Sequence, residues 1–262
     1  MSNDPTHPAS EFTIQVRVKS DIGTLEWAGA ADAETLAKAV SLATDDSILG
    51  HDLRRVEVAI PAFDRMAIRA LHLAGFRREG RRREGVTTDD GRLVDVLLYA
   101  RLATDQVYGA HAFSAVMDSA LPMKRVIGHV VFTDDAGRVL LQEVSYKEDW
   151  ELPGGIVEPG ESPRVGAERE VLEETGMSVD LGAPVLVDWM PPHLGWSDAI
   201  EMLWDGGRID PDAPQLPDHE VVAFHWVDPA EVPSKVSVAS ARRIALVLAG
   251  GGAVFTEDGH LY

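Results

Sequence analysis

Six glutamates fall within "GGIVEPGESPRVGAEREVLEETGM", residues 154–177. Ser162 followed by Pro163 predicts a helix start, an N-cap hydroxyl with proline at the first helical position. Gly176 is the matching stop. At 100° per residue, Glu173 and Glu174 lie about 60° and 40° to either side of Glu170, so three carboxylates share one stripe. Like charges at this spacing repel, and the negative end of the helix dipole disfavours them further. Something positive is expected against them. Arg169 is one candidate; a divalent cation is the other, with Mg²⁺ or Mn²⁺ suited to oxygen ligands. A solvated acidic face, the usual fate of a charge run, also remains open. Glu168 fits none of these, because it falls on the opposite side with Val165 and Leu172.

The spacing adds to this. Gly155, five residues, Glu161, seven residues, then Arg169-Glu170-Val171-Leu172-Glu173-Glu174-Thr175-Gly176-Met177 resembles the signature of the Nudix hydrolases at every fixed position, and "WELPGG" is similar to the strand that precedes it. The resemblance covers residues 122–262. It implies an α/β/α sandwich with a mixed sheet and a Mg²⁺- or Mn²⁺-dependent pyrophosphohydrolase. By this resemblance Glu170, Glu173 and Glu174 are metal-binding and catalytic, the Gly155 carbonyl is a metal contact, and Arg169 orients the carboxylates. Glu220, six residues before Trp226, is a further candidate ligand. Glu170 is the first candidate for the general base, and an acid near Asp198 or Glu201 the second.

The substrate implied is a nucleoside diphosphate linked to another moiety, such as ADP-ribose or a nucleotide sugar, or a nucleoside triphosphate. Trp196 and Asp198, in the loop "DWMPPHLGWSD", and Lys147, in "YKEDW", are candidate substrate contacts. For each there is a plainer structural reading: lid tryptophan, surface acid, solvated lysine. Competing functions are a non-catalytic nucleotide sensor and an acetyltransferase regulated by the Nudix part.

The elements that must position these groups read as two α/β (α+β) domains in a chain of 262 residues. Residues 1–10 are expected to be a disordered tail. Period-two alternation predicts strands at 12–18 and 54–60, and helices begin at Asp32 and Asp64. A hairpin around "TDDG" closes the first domain near Leu102, and residues 104–124 read as a linker containing a short helix. Strands then follow at "RVIGHVVF", "RVLLQEV", 184–190, 199–204 and 221–227, with an apolar helix at 238–249.

Within 11–103, the "AIRALHLAGFRREG" passage and the hairpin ending "VDVLLYARL" resemble the C-terminal half of a GNAT-type acetyltransferase. The stretch "AGAADAETL" lacks the glycines and cations that would cradle a pyrophosphate. A structural or dimerising role is therefore expected for this truncated domain.

The net charge of −19 disfavours polyanionic partners, so no nucleic acid is expected, and cations must sit wherever a small anion binds. Against that background "FRREGRRREG" carries Arg77, Arg78, Arg81, Arg82 and Arg83. These offer a surface for an acidic partner, a second copy of the chain among them, unless they are simply a solvated strand. The absence of cysteine excludes disulfides and thiolate chemistry. No apolar run is long enough for a membrane span, and a polar start suggests a cytoplasmic protein.

Overall fold

The computed structural model describes residues 12–215 and 220–261; the tail expected over 1–10 lies outside them. The chain divides into two compact units, 1–122 and 123–262.

In the first unit, β1 (Thr13–Lys19) and β2 (Ile22–Ala28) form a hairpin. Helix α1 (Ala33–Asp45) follows, its N-terminal amides capped by the Asp32 carboxylate. Strand β3 (Arg55–Pro61) runs parallel to β2 and buries every second residue: Val56, Val58 and Ile60. Helix α2 (Arg65–Leu73) is capped by Asp64, and Gly75 takes the left-handed turn after it at φ 81°. Strands β4 (Arg77–Thr87) and β5 (Leu93–Leu102) complete a five-stranded sheet in the order β1-β2-β3-β5-β4.

Residues 104–124 are more than a tether. Helix α3 (Ala110–Ala120) buries Ala112 and Val116 and packs on β4, where the Ser119 hydroxyl accepts the Arg78 amide at 2.9 Å. The helix falls within the first unit and packs on its sheet.

In the second unit, β6 (Arg125–Thr133) and β7 (Val139–Val144) come first, then the short β8 (Gly154–Ile156) against β6. Helix α4 (Pro163–Thr175) leads to β9 (Leu186–Met190), β10 (Ala199–Arg208) and β11 (Val221–Val227). Helix α5 (Val238–Ala249), β12 (Val254–Glu257) and β13 (His260–Leu261) end the chain. The sheet order is β11-β7-β6-β10-β9-β12-β13, with β10 parallel to β6 and β12 parallel to β9.

Alternation along the central strands makes two cores. Val130, Phe132, Leu140 and Trp204 pack with Ala167 and Val171 of α4. Their neighbours Val131, Val139, Leu141 and Leu203 pack with Ile244 of α5. The second unit is thus an α/β/α sandwich on a mixed sheet, as expected. Among the described residues no helix is long and apolar enough to cross a membrane.

Candidate active site

Helix α4 carries most of the site. The Ser162 hydroxyl accepts the Val165 amide, Pro163 opens the helix, and Gly176 closes it at φ 71°. Its inner face is Gly166, Ala167, Val171 and Thr175, small enough to let the helix approach β6 closely. A methyl on Gly128 of β6 would stand 2.9 Å from the Ala167 Cβ. Glu168, the misfit of the helical wheel, accepts the Arg164 guanidinium at 2.7 Å and the Leu181 amide at 3.0 Å. It ties down the chain that follows the helix.

The outer stripe meets β8. Glu174 accepts hydrogen bonds from the Gly154 amide and from Gln142 Nε2, each at 2.8 Å. Burial pushes its carboxyl up to about 7 against those bonds. Glu170 lies against the next residue: a Cβ on Gly155 would fall 2.7 Å from the Glu170 Cδ. Burial raises the Glu170 carboxyl too, against the pull of Arg169. The two carboxylates therefore bracket the Gly154–Gly155 peptide, one on each residue. Glu173 is exposed.

Arg169 is where the stripe finds its first positive charge. Its guanidinium reaches Glu170 and Glu173 at 3.0 Å each, Glu161 at 2.9 Å and the Ile156 carbonyl at 3.2 Å. These bonds raise Arg169 and hold Glu161 below the usual carboxylate range. Glu174 has no ion pair among the described residues. Two of the three carboxylates are thus compensated by arginine, and the most buried one is not.

Among the described residues no three Asp, Glu or His side chains already converge as a metal cage. The donor set nevertheless fits a hard cation. It consists of oxygen atoms only, the half-buried Glu174 carboxylate lacks a counter-charge among the described residues, and the cradle beside Gly155 is one that any side chain would fill.

The other candidates are placed as follows. The Lys147 ammonium and the Tyr146 hydroxyl both bond Glu151. Burial raises the Tyr146 phenol, and the charges of Glu151, Glu174 and Glu220 raise it further. Those three carboxylates consequently share one neighbourhood. Glu220 itself is exposed, with its carbonyl bonded to the Ser145 amide at 3.0 Å. Trp196 is exposed on a loop closed by the His193–Trp196 backbone pair, and the Arg125 guanidinium lies 4.4 Å over its ring. Asp198 is held by Lys124 and by Trp189 Nε1, which keep it strongly acidic.

Glu201, the second candidate base along with Asp198, is buried and committed to His129 and Arg243. Arg243 also bonds Asp188 at 3.1 Å, and Asp188 accepts the Thr256 hydroxyl at 2.6 Å and the Gly259 amide at 2.9 Å. Burial drops His129 to about 4, so it is neutral near pH 7. This buried network escaped sequence reasoning. Its signals were charged residues interrupting apolar runs: Asp188 in "VLVDWM" and Arg243 in "VASARRIALVLA".

The NUDIX domain family matches residues 122–247. A MutT-like protein of Streptomyces ambofaciens is 31% identical over 134 residues, 51% of this chain and 82% of that protein. A Bacillus subtilis (strain 168) protein, provisionally named an 8-oxo-dGTP diphosphatase, is 32% identical over 104 residues, 40% of this chain and 66% of that protein. An RNA pyrophosphohydrolase of Roseobacter denitrificans is 44% identical over 59 residues, 22% of this chain and 36% of that protein. The chain thus spans less than two thirds of the last two relatives. With the signature intact on α4, the sandwich fold around it and these matches, the chain belongs to the Nudix hydrolase family.

Proposed function

We propose that the second unit hydrolyses a diphosphate bond, in a nucleoside diphosphate linked to another moiety (an ADP-ribose-like compound or a nucleotide sugar) or in a nucleoside triphosphate. The observation that carries this reading is the pair of half-buried carboxylates, Glu170 and Glu174, bracketing the Gly154–Gly155 peptide. Glu170, Glu173, Glu174, the Gly155 carbonyl and Glu220 are the groups that would hold Mg²⁺ or Mn²⁺. Such an ion, when bound, neutralises phosphoryl oxygens and lowers the pKa of water.

The chain's own residues supply the rest. Arg169 fixes the rotamers of Glu170 and Glu173 by bonding both, so their oxygens face the substrate without further ordering. Glu170, raised by burial, takes the proton of the attacking water at a carboxylate oxygen. Lys147 meets a phosphate on releasing Glu151. Trp196, with one face already covered by Arg125, offers the other to a base. Asp198, held by Lys124 and Trp189, shapes the floor of that loop. The buried Arg243 network fixes β9 and β10 beneath it.

The test is product analysis by mass spectrometry. The full chain is incubated with ADP-ribose, nucleotide sugars, nucleoside triphosphates, 8-oxo-dGTP and a 5′-triphosphorylated RNA, with Mg²⁺ or with EDTA, beside Glu174→Gln. Turnover of a small nucleotide that needs both the metal and Glu174 is expected. Binding without turnover, or cleavage of RNA alone, overturns the proposal.

A further inference from the structure

The first unit holds a groove of about 1110 Å³ between α2, β4 and α3. Arg65 and Arg69 line it from α2, and Arg78 and Arg81 from β4. Arg81 is neutralised by Asp95. Arg65, Arg69 and Arg78 make no ion pair among the described residues, and no Asp or Glu lines the groove. In a chain of net charge −19, three uncompensated guanidiniums gathered in one concavity are a local reversal of the whole field. Arg77, on the same strand as Arg78, is by contrast paired with Asp105 at 3.0 Å, outside the groove.

The remaining wall is apolar. Phe113 and Leu73 stand largely exposed on it, with Val116 and Met117 behind. His72 also lines it, its Nε2 3.3 Å from the Tyr99 hydroxyl, and burial and Arg78 keep its ring neutral. A neutral imidazole beside a tyrosine hydroxyl adds hydrogen-bonding capacity without further charge.

We propose that this groove is a binding site for a small organic phosphate, independent of the Nudix site. The phosphate sits among Arg65, Arg69 and Arg78, and the organic body lies against Leu73, Phe113 and Met117. Three guanidiniums match a dianionic, multi-oxygen head, whereas a lone carboxylate would occupy only one of them. The volume exceeds what inorganic phosphate would fill, and the exposed phenyl and leucyl groups reward an apolar body.

Calorimetry on the full chain in EDTA tests this, with phenyl phosphate, butyl phosphate, inorganic phosphate and phenol as probes. Phenyl or butyl phosphate is expected to bind at one site, more tightly than inorganic phosphate or phenol. Whichever of the two is tighter defines the body as aromatic or aliphatic. Arg69→Gln and Arg78→Gln are each expected to weaken binding about tenfold, the loss of one charge-assisted bond. Phe113→Ala should weaken phenyl phosphate and leave inorganic phosphate unchanged, and Glu174→Gln should change nothing. The proposal fails if neither organic phosphate binds, or if Glu174→Gln abolishes binding while the arginine variants keep it. It also fails if Phe113→Ala is silent and inorganic phosphate binds as tightly as phenyl phosphate. Sedimentation in which Arg78→Gln dissolves a dimer, without any phosphate binding, would assign the groove to a second copy and overturn the proposal.

Discussion

Replacing Gly155 by alanine separates the site's geometry from its stability. Gly155 lies outside the positive-φ glycines of the chain, so a methyl there carries no backbone strain. The methyl has one direction to go, and it falls 2.7 Å from the Glu170 Cδ and 2.9 and 3.1 Å from its oxygens. To regain an ordinary carbon contact of about 3.5 Å, the carboxylate must retreat by about 0.8 Å. Glu170 is at the end of a flexible side chain, so it yields and the fold survives. Displacements near 1 Å cost about a hundredfold in rate where groups must be held in line. Gly155→Ala is therefore expected to lower kcat/KM on the preferred substrate by ten- to a hundredfold, with Tm within about 2 °C of wild type. Gly154→Ala is the contrast, because its φ is 132° and its Cβ would meet the Gly128 carbonyl oxygen at 2.1 Å. That variant should lose stability first. Rates under saturating Mg²⁺, beside thermal unfolding by circular dichroism, decide the matter. Wild-type kcat/KM in Gly155→Ala, or a Tm loss that parallels the rate loss, would refute the reasoning.

Arg169→Lys should reduce kcat at least tenfold in the same assay with little change in Tm, because one ammonium cannot replace a guanidinium that reaches Glu161, Glu170, Glu173 and Ile156 together. Glu174 holds its proton more tightly in the folded chain, with its carboxyl at about 7 rather than 4.5. In EDTA its contribution is accordingly full below about pH 4.5 and is lost as pH rises through 7, by at most about 3 kcal/mol. Glu174→Gln should gain stability relative to wild type across that interval, read from urea midpoints at pH 5 and pH 8, and added Mg²⁺ should shrink the difference. Arg243→Met strands Asp188 and Glu201 without counter-charge in a buried site. It is expected to cost about 3–5 kcal/mol by urea unfolding, and removing all three charges together should recover much of it.

Legibility in the sequence followed how local each signal was. The caps at Asp32, Asp64 and Ser162 lie beside the helices they start, and all three appear where capping chemistry puts them. β11 and α5 coincide with 221–227 and 238–249 because enough apolar residues fall in each for the element to show, even across the Arg242-Arg243 pair inside α5. The short strands β8, β12 and β13 carry too few residues for any period to show; β8 and β12 exist through partners far along the chain, and β13 through its hairpin with β12. The acidic stripe announced itself by its cost, and Arg169 was readable beside it. That Glu174 leans on Gly154 and Gln142, across 20 and 32 residues, was not. Nor was the Arg243 network, whose members lie 42 and 55 residues from it. The arginine-rich strand was conspicuous as a run, but its meaning depends on α2 and α3, which add Arg65, Arg69 and an apolar wall to only two of its arginines.

The near-contact of α4 with β6 has a consequence for how this unit tolerates variation. The helix rests on Gly128 through Ala167, with the Pro163 carbonyl 3.3 Å from where a Gly128 methyl would stand. Its far end is tethered to β8 through Glu174. A methyl inserted near the start would wedge one end up while the other stays fastened, rocking the helix like a plank. The carboxylates would swing with it, though no polar group had been touched. Positions deep in the core and out of reach of any substrate should thus appear, in a saturation library scored for both abundance and turnover, among those that stay abundant and lose turnover. In such a library the boundary between packing residue and working residue would run through the interior of this sandwich rather than around its cleft.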